Sequence, residues 1–245
     1  MPVIQIVGHG SVAQMVLSDG VDASFLTVNW AHALGVACAV YMTVTVSGAH
    51  INPAISLSQF LLGNLSPKAM LVYWLSQLAG AFAGAAVVYF VYADAIRVYD
   101  VGKEGFLKET AGIFAAYPKE HLTALGGICD QMVGTAFLSA PLLVGLTVGS
   151  IGMAYGHNCG LAINPAGDLG PRLFTLAAGW GVETFTYSTN DGLHFFWVPI
   201  VGPFIGAALG AWVYKLCVGL HQPACNRQAW KQNERKAGRV MVTTN

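Results

Sequence analysis

The stretch GLAINPAGDLGPRLF, residues 160–174, decides the fold, because its Asn-Pro-Ala tripeptide occurs a second time in GAHINPAISLSQF, residues 48–60. Asn52 and Asn164 stand 112 positions apart, one in each half of the chain. Asparagine is a strong N-cap, and proline fits the first helical turn, where its missing N–H costs nothing. Asn52-Pro53-Ala54 and Asn164-Pro165-Ala166 therefore each read as a helix start. About ten helix-compatible residues follow, toward Gly63 and Gly179. Ten helical residues span about 15 Å, half of a hydrocarbon core of about 30 Å.

The surrounding composition says that such a core is present. Of 245 residues, 55% are hydrophobic and 10% are charged, where soluble domains carry about 25% charge. Five runs lack Asp, Glu, Lys and Arg: Pro2–Ser18, Phe25–Val46, Ala69–Ala93, Gln131–Gly167 and Leu193–Tyr214. Three have the length of a single span, Pro2–Ser18 is short, and Gln131–Gly167 is too long for one. The chain reads as an all-α membrane protein with one channel-like domain, residues 1–220, and a basic tail, residues 221–245. Net charge is zero, so no basic patch speaks for nucleic acid. The five cysteines (Cys38, Cys129, Cys159, Cys217, Cys225) have no CxxC spacing and read as apolar filler, so neither a disulfide framework, a metal site nor a cofactor is expected.

Irregular backbone before a half-helix is tolerable in lipid only where it lines a wet cavity. The two elements, spanning 48–63 and 157–176, are thus expected to be re-entrant loops of inverted repeats that meet at the midplane. Two half-helix N-termini and two asparagine amides would face each other there, a setting that admits neutral polar solutes and repels cations and protons. The sequence shows almost none of the buried ionisable residues that drive coupled transport, and no nucleophile or acid–base cluster in a plausible pocket that would suggest an enzyme. The tail carries Arg227, Lys231, Arg235, Lys236 and Arg239 against Glu234 alone, which places the C-terminus in the cytoplasm.

SGAHINPAIS and GLAINPAGDLGPRLF closely resemble the two signature loops of the major intrinsic protein family, and HGSVAQ, QLAGAF, GIFAAYP and WVPIVGPFIGA support the resemblance over residues 4–220. The resemblance is to the aquaglyceroporin type, with Tyr117, the Asp168–Arg172 pair, and Pro199 as markers. It implies a homotetramer in the plasma membrane with one pore per subunit, passing glycerol, water and small neutral solutes such as urea. By position, His32, Gly152, Leu161 and Gly167 form the selectivity ring. Family members usually show aromatic, glycine, aromatic and arginine at these places, so three of the four depart. Gly167 removes the ring's one full charge, and His32 puts an imidazole where a bulky aromatic is usual. His50 is expected to brace the first loop.

The resemblance also implies gaps. The first helix lacks its leading half and the acidic residue usual there. Gly126–Tyr155 must supply two helices and their connection from 30 residues, where two spans need about 40. The expected outcome is a fourth helix too short to cross, or one fused with the fifth. The alternative to a conducting pore is a non-conducting subunit that assembles with full-length channels and restrains them.

Overall fold

The computed structural model describes residues 1–138, 144–217 and 220. The basic tail with its cytoplasmic assignment, Cys225, and the connection between the fourth and fifth spans lie outside the described residues. The described chain is built of helices: α1 (Pro2–Leu17), α2 (Phe25–Ser47), α3 (Pro53–Leu61), α4 (Pro67–Asp100), α5 (Lys108–Ala111), α6 (Ala124–Leu138), α7 (Val144–Tyr155), α8 (Pro165–Ala178), α9 (Glu183–Thr186) and α10 (Val198–Cys217).

Local chemistry sets the ends. Ser24 and Thr27 close a capping box on α2, and Ser66 caps α4 through the amide of Ala69, with Pro67 in the first turn. Gly48 ends α2 and Gly179 ends α8 in the left-handed conformation. α2, α4 and α10 are long and apolar enough to cross a membrane. α4, with 34 residues, is about 51 Å long and exceeds the hydrocarbon thickness.

Packing divides the helices into two exchanging halves. α2 lies between α1 and α7, α4 packs along α1 and α8, and α10 runs along α6. The half-helix α3 sits against α10, and the half-helix α8 against α4, so each short helix is cradled in part by the opposite half. Small residues set the closest approaches, as expected where lipid supplies no hydrophobic drive between helices. A Cβ at Gly145 would lie 2.5 Å from the Ala33 carbonyl oxygen, and one at Gly84 would lie 3.0 Å from that of Pro2. Large apolar side chains such as Tyr41, Phe90, Val91 and Trp212 point outward, a surface suited to lipid rather than water.

One expectation is revised. α3 has nine residues, but α8 has fourteen and runs through Gly170 and Pro171, so the second half-helix is longer than ten. The uncharged run 131–167 divides among the end of α6, all of α7, the second loop and the start of α8. The described parts of α6 and α7 have 15 and 12 residues, about 22 and 18 Å. The choice between a short fourth helix and one fused with the fifth falls on residues 139–143, which lie outside the described residues.

A candidate pore at the junction of two half-helices

The two Asn-Pro-Ala elements are cross-braced. Asn52 Oδ1 accepts from the Ala54 amide at 2.8 Å, and Asn164 Oδ1 accepts from the Gly167 amide at 3.1 Å, so each side chain caps its own half-helix. Each Nδ2 then crosses to the other loop: Asn52 donates to the Ile163 carbonyl and Asn164 to the Ile51 carbonyl, both at 2.9 Å. The two carbonyls belong to the residues just before the opposite asparagine, so the pairing is reciprocal. An amide nitrogen has two hydrogens, and the cross-brace takes one from each. Ile51 reaches this arrangement at φ 42°, a left-handed conformation that a β-branched residue rarely adopts. Such strain persists only where the surroundings over-determine it.

A cavity of about 660 Å³ reaches this junction. Its lining includes Lys108 and Glu109 of α5, the loop residues Lys119 and His157, and His50, Ile51, Asn52 and Asn164 at the junction. Among the described residues, no group of three His, Cys, Asp or Glu side chains comes together to hold a metal ion. The four described cysteines are free thiols.

Of the positions carried over as the ring, His32, Leu161 and Gly167 line the cavity. His32 bonds through Nδ1 to its own helix, at the Val28 carbonyl, 2.9 Å away, and its ring packs on Gly8 of α1. Gly152 is buried and stands back from the lumen, because the side chain of Asn29 fills the space before it. The room that glycine was expected to leave for a carbon backbone is therefore occupied by an amide.

Gly167 has a second role. Pro171 has no N–H to donate to the carbonyl four residues earlier, which is that of Gly167. Gln5, buried on α1, donates its Nε2 to that carbonyl at 3.0 Å and closes the gap in the helix ladder. The prolonged α8 thus depends on a contact with α1.

Asp168 and Arg172 pair at 2.8 Å with both side chains almost wholly buried. Arg172 also donates to the carbonyls of Thr184 and Ala116, and Asp168 accepts from the Ala116 amide at 2.7 Å. Tyr117 lies under the guanidinium, 4.9 Å from its ring centroid. This marker set ties the loop before α6 and the short α9 to the second half-helix. His50 bonds Ser56 at 3.2 Å and meets the Tyr73 ring edge-on at 4.9 Å, which ties the first loop to α3 and α4. Pro199 is buried in the first turn of α10, away from the cavity lining.

Sequence reasoning did not single out Gln5, His9 or Asn29. All three are buried, line the cavity and sit in uncharged apolar runs. His9 meets Phe114 edge-on, and its Nδ1 has no hydrogen-bond partner among the described residues. The signal was present: a Gln, Asn or His within a lipid-length run must face the bundle interior. His32 was read by this rule, and His9 was open to the same reading.

The comparisons agree with this architecture. The family profile described as major intrinsic protein matches residues 3–140 and 139–214. Over 254 residues the chain is 42% identical to Aquaporin-10 of Milnesium tardigradum, an alignment covering 92% of this chain and 62% of that protein. It is 39% identical to Aquaporin-10 of Homo sapiens over 241 residues (90% of this chain, 79% of that protein). The solved aquaglyceroporin structure from Plasmodium falciparum superposes with a TM-score of 0.77 at 26% identity, covering 89% of this chain and 93% of the other. The chain thus spans less than two thirds of the length of its tardigrade relative and about four fifths of the human one. Profile, relatives and fold converge on one assignment: the chain belongs to the major intrinsic protein family.

Proposed function

We propose that the chain is a passive transmembrane channel for glycerol, water and small neutral solutes such as urea, rather than an enzyme. The observation that carries the reading is the reciprocal bracing of Asn52 and Asn164 at a cavity of about 660 Å³. Each half-helix N-terminus carries about half a positive charge, so the junction disfavours cations, while the second amide hydrogen of Asn52 is open to a solute oxygen and that of Asn164 is shared only with Met1 Sδ at 3.9 Å. His32, Gly152, Leu161 and Gly167 form the constriction in this reading, with Gly152 acting through the side chain in front of it. The absence of a guanidinium at 167 makes the ring more permissive. The names of the relatives, aquaporins and an aquaglyceroporin, favour conduction over a silent subunit. A homotetramer in the plasma membrane, with its C-terminus in the cytoplasm, completes the proposal; the exposed apolar faces of α2 and α4 supply surface for lipid and for neighbouring subunits. The test is light scattering from vesicles holding the purified chain in outward and inward gradients of glycerol and urea. Solute entry faster than in protein-free vesicles is expected, and rates equal to those of protein-free vesicles refute the channel.

A further inference from the structure

Asn29 holds an oxygen that the described residues leave without a donor. Its Nδ2 donates to the Phe25 carbonyl at 2.8 Å, one turn back on α2, and this bond fixes which end of the amide turns away from the helix. Oδ1 then points at Gly152. A Cβ there would overlap that oxygen, lie 2.9 Å from Cγ of the same amide, and lie 3.2 Å from Leu161 Cδ2. The Asn29 side chain is 97% removed from solvent yet lines the cavity. No described residue donates to Oδ1. A buried acceptor without a donor is costly, so an acceptor kept at a cavity wall is served by what occupies the cavity.

His32 lies three residues further along α2, on the same face. Its Nδ1 faces a carbonyl and must carry the hydrogen, and its Nε2 edge lies against Gly8 of α1. The wall from Asn29 to His32 therefore offers the Asn29 oxygen as an acceptor and no side-chain donor. Across the ring, Gly167 offers no side-chain donor either. A solute passing this belt sheds water most readily if it brings several hydrogens of its own.

We propose that Asn29 is a specificity-determining residue of the pore: its Oδ1 accepts a hydrogen bond from donor-rich small solutes, amides foremost, and Gly152 is the position whose lack of a side chain seats that oxygen. The proposal rests on the channel reading above. Urea, with four N–H donors, gains from the acceptor wall, whereas water can turn to other partners, so the ratio of urea to water permeability reports the contact.

The experiment is a double-mutant cycle in vesicles holding the full chain, with urea and water permeability measured on the same preparations and melting temperatures taken in parallel. Asn29→Ala removes the oxygen and lowers the urea-to-water ratio about 3- to 10-fold, the range of one lost hydrogen bond. Gly152→Ala keeps the amide but displaces it, and lowers the ratio as well. In the Asn29→Ala background, Gly152→Ala adds no further loss, because the new methyl enters the vacated space. An unchanged ratio in both single variants, with or without a fall in melting temperature, overturns the proposal and leaves the channel standing, as do losses that simply multiply in the double variant. A native chain that passes neither solute faster than protein-free vesicles overturns the channel and the proposal together.

Discussion

Replacing Asn164 by leucine removes two bonds with different jobs, besides a long contact from Nδ2 to Met1 Sδ at 3.9 Å. The cap from Oδ1 to the Gly167 amide is lost, at about 1 kcal/mol for an N-cap of this kind. The Ile51 carbonyl also loses its donor, at about 1–3 kcal/mol, toward the low end because it borders a cavity that water can enter. The sum is about 2–4 kcal/mol, or several degrees of melting temperature for a chain of this size. Asn164→Ser separates the terms. Serine caps nearly as well as asparagine but is too short to reach Ile51, so it recovers about 1 kcal/mol relative to leucine. Melting of the purified protein in detergent, scanned at one rate for all variants, gives the stability order native, Ser, Leu. Glycerol flux at equal protein per vesicle falls in both variants, because both release the first loop from the second. A leucine variant that melts and conducts like the native chain refutes the cross-brace, and a serine variant equal to leucine refutes the capping half of the argument.

Three further outcomes are expected. Asp168→Ala leaves Arg172 buried without its partner and costs about 3–5 kcal/mol, measured as a loss of melting temperature; the exposed pair Arg97–Asp94 serves as the contrast, since its removal changes little. Gly167→Arg narrows the cavity and restores a fixed positive charge, so methylammonium leak through vesicles falls while glycerol flux persists; equal leak in both chains removes position 167 from the lumen. The Asp191 carboxyl is held below the usual carboxylate range by the Thr189 hydroxyl, with the Ala124 amide at the start of α6 adding to it. A depressed folded value stabilises above the ordinary carboxylate value of about 3.9 and is lost as pH falls through the lower one, so the melting difference between the native chain and Asp191→Ala shrinks on acidification below about pH 4.

The half-helix starts were legible because Asn-Pro states them twice over, as cap and as first-turn residue, and α3 and α8 begin at Pro53 and Pro165 accordingly. What sustains α8 was not legible. Helix-compatible residues run on toward Gly179 in the sequence, and only the partner contacts show why Gly170 and Pro171 are tolerated among them: Gly170 lets α8 approach Ala81 of α4, and Gln5 answers the carbonyl that Pro171 leaves free. Both depend on residues far away in sequence. The Asp168–Arg172 pair was visible from its spacing, but not its grip on Ala116 and Thr184, because backbone carbonyls leave no sequence signature. Gly152 shows the limit most plainly. Its position in the chain suggested open space, and the space is filled by an amide from a different helix, which no local pattern announces.

The most direct test of the account is the dependence of glycerol entry on the glycerol gradient, in vesicles holding the purified native chain. A passive pore braced at Asn52 and Asn164 predicts an initial rate that rises in proportion to the gradient and is indifferent to imposed proton or sodium gradients. Entry that saturates, or that follows a proton or sodium gradient, contradicts it.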